Sequence, residues 1–402
     1  MSGRRLRILY LVPGHNLLET AGPTRNVLSL ARALGEHADV AVAFRRTLDA
    51  APPAGLRVLE IDPGSAPPPG TADDSAMRGL GVGEFLAYLG RLRRFVAAQA
   101  GSFDVVLEKS WLLSGWLSRL AERQGQLGVA VENVVPSPAR HAEAGLAKRL
   151  RVLAGRSWAG RSLHRSRLVI AETEQLKADI VRVWGVAAER VTVVGLGVDR
   201  GLFRPLDQAE ARAALGIDPA ATILLYVGVL DETHNLGPAI EAVAALGRPD
   251  LQLHIVGDGP QRAAYLERAR GSAGIVFHGR KPHRAVPQHI AIADLCLAPY
   301  DSRAFAGGAL GYSTMKIPEY LGVGRAVIAA PSARARELIE DQVSGFLLRN
   351  EPEDWRAFLA RLPDRARLAA MGREAAQVPL PSWQQTAAGY LAAIERARGT
   401  AR

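Results

Sequence analysis

A short apolar strand, a glycine-containing loop and a helix follow one another in this chain, and the series runs twice. Arg7–Val12 reads as a buried strand that stops at Pro13-Gly14. The loop Glu19–Arg25 carries Gly22, and behind it Val27, Leu28, Leu30, Ala31 and Leu34 recur at helical spacing. Asp39–Phe44 is strand-like again. This βαβ order requires a parallel sheet with helices on its faces, and such sheets bind ligands at the carboxyl ends of their strands. Further strands are predicted over Leu56–Ile61, Asp104–Leu107, Leu127–Glu132, Arg167–Ala171 and Arg190–Val194, with helices over Phe85–Ala100, Trp111–Arg123 and Glu174–Trp184. Gly201–Pro205 reads as a linker, and beyond it the pattern restarts. Strands are expected at Ala221–Val227, Leu251–Val256, Ile275–His278 and Leu295–Ala298, and helices at Leu236–Leu246, Gln261–Arg270 and Val286–Ala293. A chain of 402 residues exceeds a single core, so two α/β domains with a cleft between them are expected.

Composition removes several classes of function. The lone Cys296 excludes an internal disulfide and a cysteine-rich metal site, and it fits a reducing compartment. The first apolar run ends at Pro13, too short for a signal-peptide core, and no stretch is long enough to span a bilayer. A cytoplasmic location is the expectation. The net charge of +10 is uneven: 28 Lys+Arg stand against 19 Asp+Glu up to Pro205, and 22 against 21 beyond it. Between Arg140 and Arg167 eight basic residues face one acid, Glu143, with Leu146, Leu150, Leu153, Trp158 and Leu163 among them. That segment reads either as a basic amphipathic helix on the inner face of an anionic membrane or as a solvated helix. With 45 arginines to 5 lysines, arginine abundance is no sign of nucleic-acid binding, and no nucleic-acid partner is expected.

The stretch Gly311–Ala329 carries the chemistry. Pro318 fits only the first turn of a helix, so the helix starts near Lys316, with Ser313 or Thr314 available as a cap. Lys316 and Glu319 share that turn. A cation at a helix start suits a phosphate, and a neighbouring carboxylate suits sugar hydroxyls, which together describe a nucleotide site. A loop-to-helix junction with a surface Lys–Glu pair is the alternative.

Gly22 with Arg25–Ala31, Glu189–Pro205, Leu225–Asp231 with Gly228 at its centre, Ile255–Pro260, Ala293–Pro299 and Lys316-x-x-Glu319-Tyr-Leu-x-x-Gly324 follow one another over nearly the whole chain. In these motifs and their order the chain resembles the GT-B glycosyltransferases, specifically the glycosyltransferase family 4-like (group 1) enzymes. The resemblance implies two Rossmann-like doubly wound parallel-sheet domains facing a cleft. Residues 1–204 would bind the acceptor, 205–378 the nucleotide-sugar, and a C-terminal helix in 379–402 would pack back on the first domain.

By the same resemblance the donor would meet Gly22, Gly228, Asp231, His234, Gly257, Tyr300, Ser313, Thr314, Met315, Lys316 and Glu319. The expected donor is a UDP- or GDP-sugar, and the acceptor a glycan, a lipid-linked sugar or a small molecule. The charge that develops on the leaving phosphate needs cations or N–H donors. With no Asp-x-Asp and no His/Asp cluster, neither a metal nor another cofactor is expected.

The chain also departs from the family. Val229 stands where an arginine is usual, His234 where a lysine is, and Gly311 where a sugar-facing glutamate is. Lys316 would replace the missing cations, with His234 as a weaker helper. Glu132, at a strand end where the family often has histidine, is the candidate base if the reaction inverts. If it retains configuration, Glu132 orients the acceptor. His15, Glu108 and Lys109 are similarly placed, and Tyr312 is a further candidate for packing on sugar or base. Other readings are an epimerase or a phosphorylase on the same fold, or a degenerate nucleotide- or saccharide-binding protein.

Overall fold

The computed structural model describes residues 4–18, 22–48, 53–63, 80–99, 101–135, 146–301 and 314–399. They divide into two compact units: the residues up to Gly197 together with those from Trp383 onward, and those from Val198 to Ser382.

The first unit is built on a seven-stranded parallel sheet of order β3-β2-β1-β4-β5-β6-β7. Its strands are β1 (Leu6–Val12), β2 (Ala38–Phe44), β3 (Arg57–Glu60), β4 (Val105–Lys109), β5 (Leu127–Glu132), β6 (Leu168–Ala171) and β7 (Val191–Val193). Alternation along the strands sends Leu9, Leu11, Ala41, Ala43 and Val106 to one face. There they pack on Tyr88, Leu92 and Val96 of α2 (Val82–Ala98) and on Leu117 and Ala121 of α3 (Trp116–Glu122). Each leucine or valine among them contributes about 1.5–3 kcal/mol by leaving water. Elsewhere in this unit α1 (Gly22–Gly35) packs on the last helix, α14 (Trp383–Gly399).

The helix expected from Trp111 begins only at Trp116. Glu108 holds both sides of the break: it accepts from Trp111 Nε1 at 2.6 Å and from the Ser118 amide at 2.7 Å, while Gly115 turns at φ 81°. The basic segment forms α4 (Leu146–Leu163). Among its described side chains Gly155, Ala159 and Leu163 are buried, while Leu153 and Trp158 are exposed. Leu146, Leu150 and Arg140 lie outside the described side chains. A helix α5 (Glu174–Trp184), capped by Thr173 and closed by Gly185, leads to β7.

The second unit carries a six-stranded parallel sheet of order β10-β9-β8-β11-β12-β13. It opens with a helix that the sequence reading lacked, α6 (Gln208–Leu215), capped by Asp207 and ended by Gly216 at φ 65°. Arg212 of α6 is buried and donates to Asp294 at 2.8 Å. The strands are β8 (Thr222–Val227), β9 (Leu251–Val256), β10 (Ile275–Gly279), β11 (Leu295–Ala298), β12 (Ala326–Ala329) and β13 (Gly345–Leu347). The helices are α7 (Gly237–Leu246), α8 (Arg262–Arg268), α9 (Val286–Ala291), α10 (Lys316–Gly322), α11 (Ala333–Leu338), α12 (Pro352–Ala360) and α13 (Arg365–Ala375). Leu224, Leu253, Leu297 and Ile328 from the sheet share a core with Ile240, Trp355 and Met371. Strand order reverses between β8 and β11, and at such a switch point the loops after the strands part to leave a crevice.

Candidate active site

At the switch point of the second unit, the ends of β8 and β11 surround one lysine. Tyr320 of α10 ties that helix to β8, accepting from the Val227 amide at 2.8 Å and donating to its carbonyl at 3.2 Å. Gly228 follows at φ 154°, where a Cβ would lie 2.8 Å from Tyr226 Oη and 3.0 Å from Lys316 Nζ. Glycine there leaves room for the lysine. Gly257, at φ 141° after β9, sits so close that its Cβ would collide with the Gly228 carbonyl, so it shapes the pocket through Gly228.

Lys316 is 8% exposed. Its Nζ donates to Tyr226 Oη at 3.2 Å, and Tyr226 donates onward to the Val229 carbonyl at 2.7 Å. The Nζ also lies 4.4 Å from the Tyr226 ring centre and 5.2 Å from that of Tyr300. Burial pushes the ammonium down, and the charges of Asp231 and Glu319 restore only part of the loss, leaving it at about 7. A bound anion would return it to full charge. α10 has seven residues, too short for much dipole, so the cation here is Lys316 itself. Met315 occupies the N-cap position without a side-chain bond. The capping expected of Thr314 is replaced by a local bond, its Oγ1 accepting the Lys316 amide at 3.2 Å. Gly311, Tyr312 and Ser313 lie outside the described residues.

His234 is held by Asp231, whose Oδ1 accepts from its backbone amide at 2.9 Å and lies 2.8 Å from its Nδ1. Burial raises the Asp231 carboxyl, but the His234 hydrogen bonds and charge and the Lys316 charge outweigh it, leaving it at about 2. The His234 ring lies 5.1 Å from that of Tyr300. Val229 is exposed, and its carbonyl, which anchors Tyr226, is what it contributes. Glu319 is buried one turn beyond Lys316, and its Oε1 lies 3.6 Å from His283 Nε2.

The first unit gathers acids at the ends of β4, β5 and β6. Glu132 is 1% exposed, and its Oε1 has no hydrogen-bond partner among the described residues. Burial first, then the charge of Glu108, pushes its carboxyl up to about 8 against the Ser114 hydroxyl and Lys109. Glu108 rises to about 7 by burial, against its N–H donors. Lys109 Nζ pairs with Glu172 at 3.3 Å. Burial would lower that ammonium, but Glu172 and Tyr10 raise it above its ordinary value. The structure therefore brings Glu132, Glu108 and Lys109 together and adds Glu172. His15 lies in the turn after β1, its backbone bonded to Val12 and Arg45. Gly22 opens α1, and among the described residues beyond its own neighbours none would lie within 4 Å of a Cβ there.

The sequence reading singled out none of Tyr226, Tyr320, Glu172 and His283 as site residues, although Tyr226 and Tyr320 lie within its motifs. Each is a strand-end, helix or loop residue whose partners come from distant segments, and no local spacing marks it.

Comparisons with known proteins bear on the family and the fold. The glycosyl transferase 4-like domain family matches residues 21–197, and the glycosyl transferases group 1 family matches residues 221–364. The D-inositol 3-phosphate glycosyltransferase of Segniliparus rotundus is 30% identical over 77% of this chain and 69% of its own length. That of Thermobispora bispora is 28% identical over 95% and 92%. Among solved structures, sucrose-phosphate synthase from Thermosynechococcus elongatus superposes with a TM-score of 0.75 at 20% identity, covering 99% of this chain and 100% of that one. HepE of Anabaena in complex with UDP and glucose gives 0.71 at 18% identity, over 97% and 99%. Two parallel α/β units with these neighbours define a GT-B fold. The chain belongs to the glycosyltransferase 4-like, group 1 family, and is a glycosyltransferase.

Proposed function

We propose that this enzyme takes its sugar from a UDP-sugar and moves it to a hydroxyl-bearing acceptor, without a metal and with retention at the anomeric carbon. The observation that carries the reading is Lys316, buried between two tyrosine rings one turn before Glu319. A departing diphosphate gains negative charge, and a desolvated ammonium aimed at it stabilises that charge more than water would. Glu319 takes ribose hydroxyls. UDP is favoured over GDP because UDP and UDP-glucose are the ligands named for HepE. The curated relatives are named for an inositol phosphate acceptor, which favours a sugar or cyclitol hydroxyl over a protein side chain. With retention, a leaving phosphate oxygen accepts the acceptor's proton, and Glu132 orients the acceptor rather than deprotonating it.

A thermal-shift screen of UDP-, GDP-, ADP- and dTDP-sugars in EDTA tests this, since a ligand that binds only the folded state raises its melting point. The UDP-sugar should give the largest shift, and transfer should survive the chelator. A shift only with GDP, or activity lost with EDTA, overturns the donor or the metal-free step. Epimerised donor formed without acceptor, phosphorolysis, or binding with no turnover would each replace the reading by one of its rivals. Glu319→Ala should weaken UDP binding by about tenfold to a hundredfold in calorimetry, the value of a hydrogen bond to a charged group.

A contact with an anionic membrane surface is a second element of the proposal. It is supported by Leu153 and Trp158, 49% and 46% exposed on α4 beside Arg156 and Arg161. Sedimentation with phosphatidylserine vesicles should fall steeply with salt and with Trp158→Glu. No sedimentation at low salt removes this element.

A further inference from the structure

We propose that His283 is a donor-binding residue. With Glu319 it brackets the ribose hydroxyls, so that the site selects ribonucleotide over deoxyribonucleotide donors. This rests on the reading that Lys316 and Glu319 hold the donor.

His283 opens a 3-10 turn, His283–Ala285, between β10 and α9, directly after Pro282. Its ring lies 5.3 Å from that of Phe203. Phe203 is itself fixed: its amide donates to the Asp199 carbonyl at 2.7 Å, and its carbonyl lies where a Cβ on Gly322 of α10 would come within 2.9 Å. The Phe203 wall thus sets His283 beside the helix that carries Glu319.

Across that space His283 Nε2 and Glu319 Oε1 face each other at 3.6 Å. The separation exceeds that of a hydrogen bond. Both atoms are buried, and neither has a hydrogen-bond partner among the described residues. Buried polar atoms are ordinarily paired, so two orphans aimed at one gap mark a place that a ligand completes.

The chemistry of the pair narrows the ligand. One side accepts only, as a carboxylate, and the other can donate from Nε2. A hydroxyl accepts from the imidazole and donates to the carboxylate at once, and two hydroxyls on adjacent carbons can divide the tasks. A phosphate would be repelled by Glu319, and a carbonyl could satisfy only the histidine. Lys316 lies one turn back on the same helix, as a phosphate site lies next to a ribose site in a nucleotide.

Calorimetry with UDP, 2′-deoxy-UDP and 3′-deoxy-UDP tests the bracket on the wild type, His283→Ala, His283→Phe and Glu319→Ala, each checked for folding by its melting point. The wild type should prefer UDP over at least one deoxy analogue by about tenfold or more, because a site built for a hydroxyl rejects the ligand that lacks it. His283→Ala should weaken UDP binding by about fivefold to tenfold while leaving that analogue's affinity nearly unchanged, as expected for one neutral hydrogen bond. The preference then collapses. His283→Phe retains a ring against Phe203 and removes the N–H, so it should behave as the alanine variant does. Restored affinity in His283→Phe would show that the ring acts only by packing and would overturn the bracket. If Glu319→Ala weakens UDP binding but both His283 variants keep the wild-type preference, this inference alone fails. If Glu319→Ala leaves UDP affinity unchanged, the donor-site reading beneath it fails.

Discussion

Replacing Lys316 by methionine is expected to slow sugar transfer by about 10²–10³, the usual cost of removing one group that stabilises developing negative charge. UDP affinity should fall by much less. Methionine is close to lysine in length, so it fills the space between Tyr226 and Tyr300 and removes only the charge. Lys316 carries this weight because the family's two usual cation positions hold Val229 and His234, and His234 is tied to Asp231. Its proton gives a second readout. Burial brings the ammonium down to about 7, and a diphosphate binds the protonated form. Donor binding above pH 7 therefore takes up a proton, and UDP affinity should fall as pH rises through 7, by no more in total than Lys316→Met costs at lower pH. Calorimetry in buffers of different ionisation enthalpy measures that uptake. Lys316→Met should abolish both the uptake and the slope; a slope that survives in the variant would place the proton elsewhere.

The second large effect is expected at Glu132. Its carboxyl, raised to about 8, is mostly protonated near neutral pH, so it can donate to an acceptor hydroxyl while its other oxygen accepts. Glu132→Gln should keep transfer within about tenfold of wild type at pH 7, whereas Glu132→Ala should lose about a hundredfold. If Glu132 were a general base, the glutamine variant would lose about 10²–10⁴. With donor saturating, wild-type activity should decline above pH 8 as the carboxyl ionises, and Glu132→Gln should remove that decline. Stability gives an independent check with a defined sign. Between the ordinary carboxyl value of 4.5 and about 8, the native state keeps a proton that the unfolded chain has released, so stability falls as pH rises through that window. Glu108, raised to about 7, adds to the slope. Chemical unfolding at pH 6 and pH 9 should show Glu132→Gln gaining on the wild type at the higher pH.

Much of this architecture was legible in the chain. The βαβ order from Arg7 to Phe44 placed the first strands and the helix behind Gly22, because a buried parallel strand and an amphipathic helix have different apolar periods. Pro318 placed the start of α10 at Lys316, since proline is tolerated only in a first turn. The misses have local causes. The start of α3 moved to Trp116 because Glu108, from the preceding strand, takes up the indole and a helix amide. The helix α6 was passed over although Asp207, Glu210 and Gly216 carry ordinary start and stop signals. Gly155 and Gly160, where a Cβ would meet Leu112 and Trp184, let α4 approach its neighbours, and no apolar period announces that.

The residue types and their order were enough for two α/β sheets, the glycine turns after their strands, and Lys316 and Glu319 one turn apart. Those features depend on steric and periodic rules that act over a few neighbouring residues. Folding in three dimensions settled the rest: the tyrosine cage that desolvates Lys316, the acids around Glu132, and the gap between His283 and Glu319. Tyr226 and Lys316 are separated by ninety positions in the chain, and Lys109 and Glu172 by sixty-three. Burial and Coulomb interaction depend on distance in space, so the charge state of each group follows from neighbours that only packing brings to it.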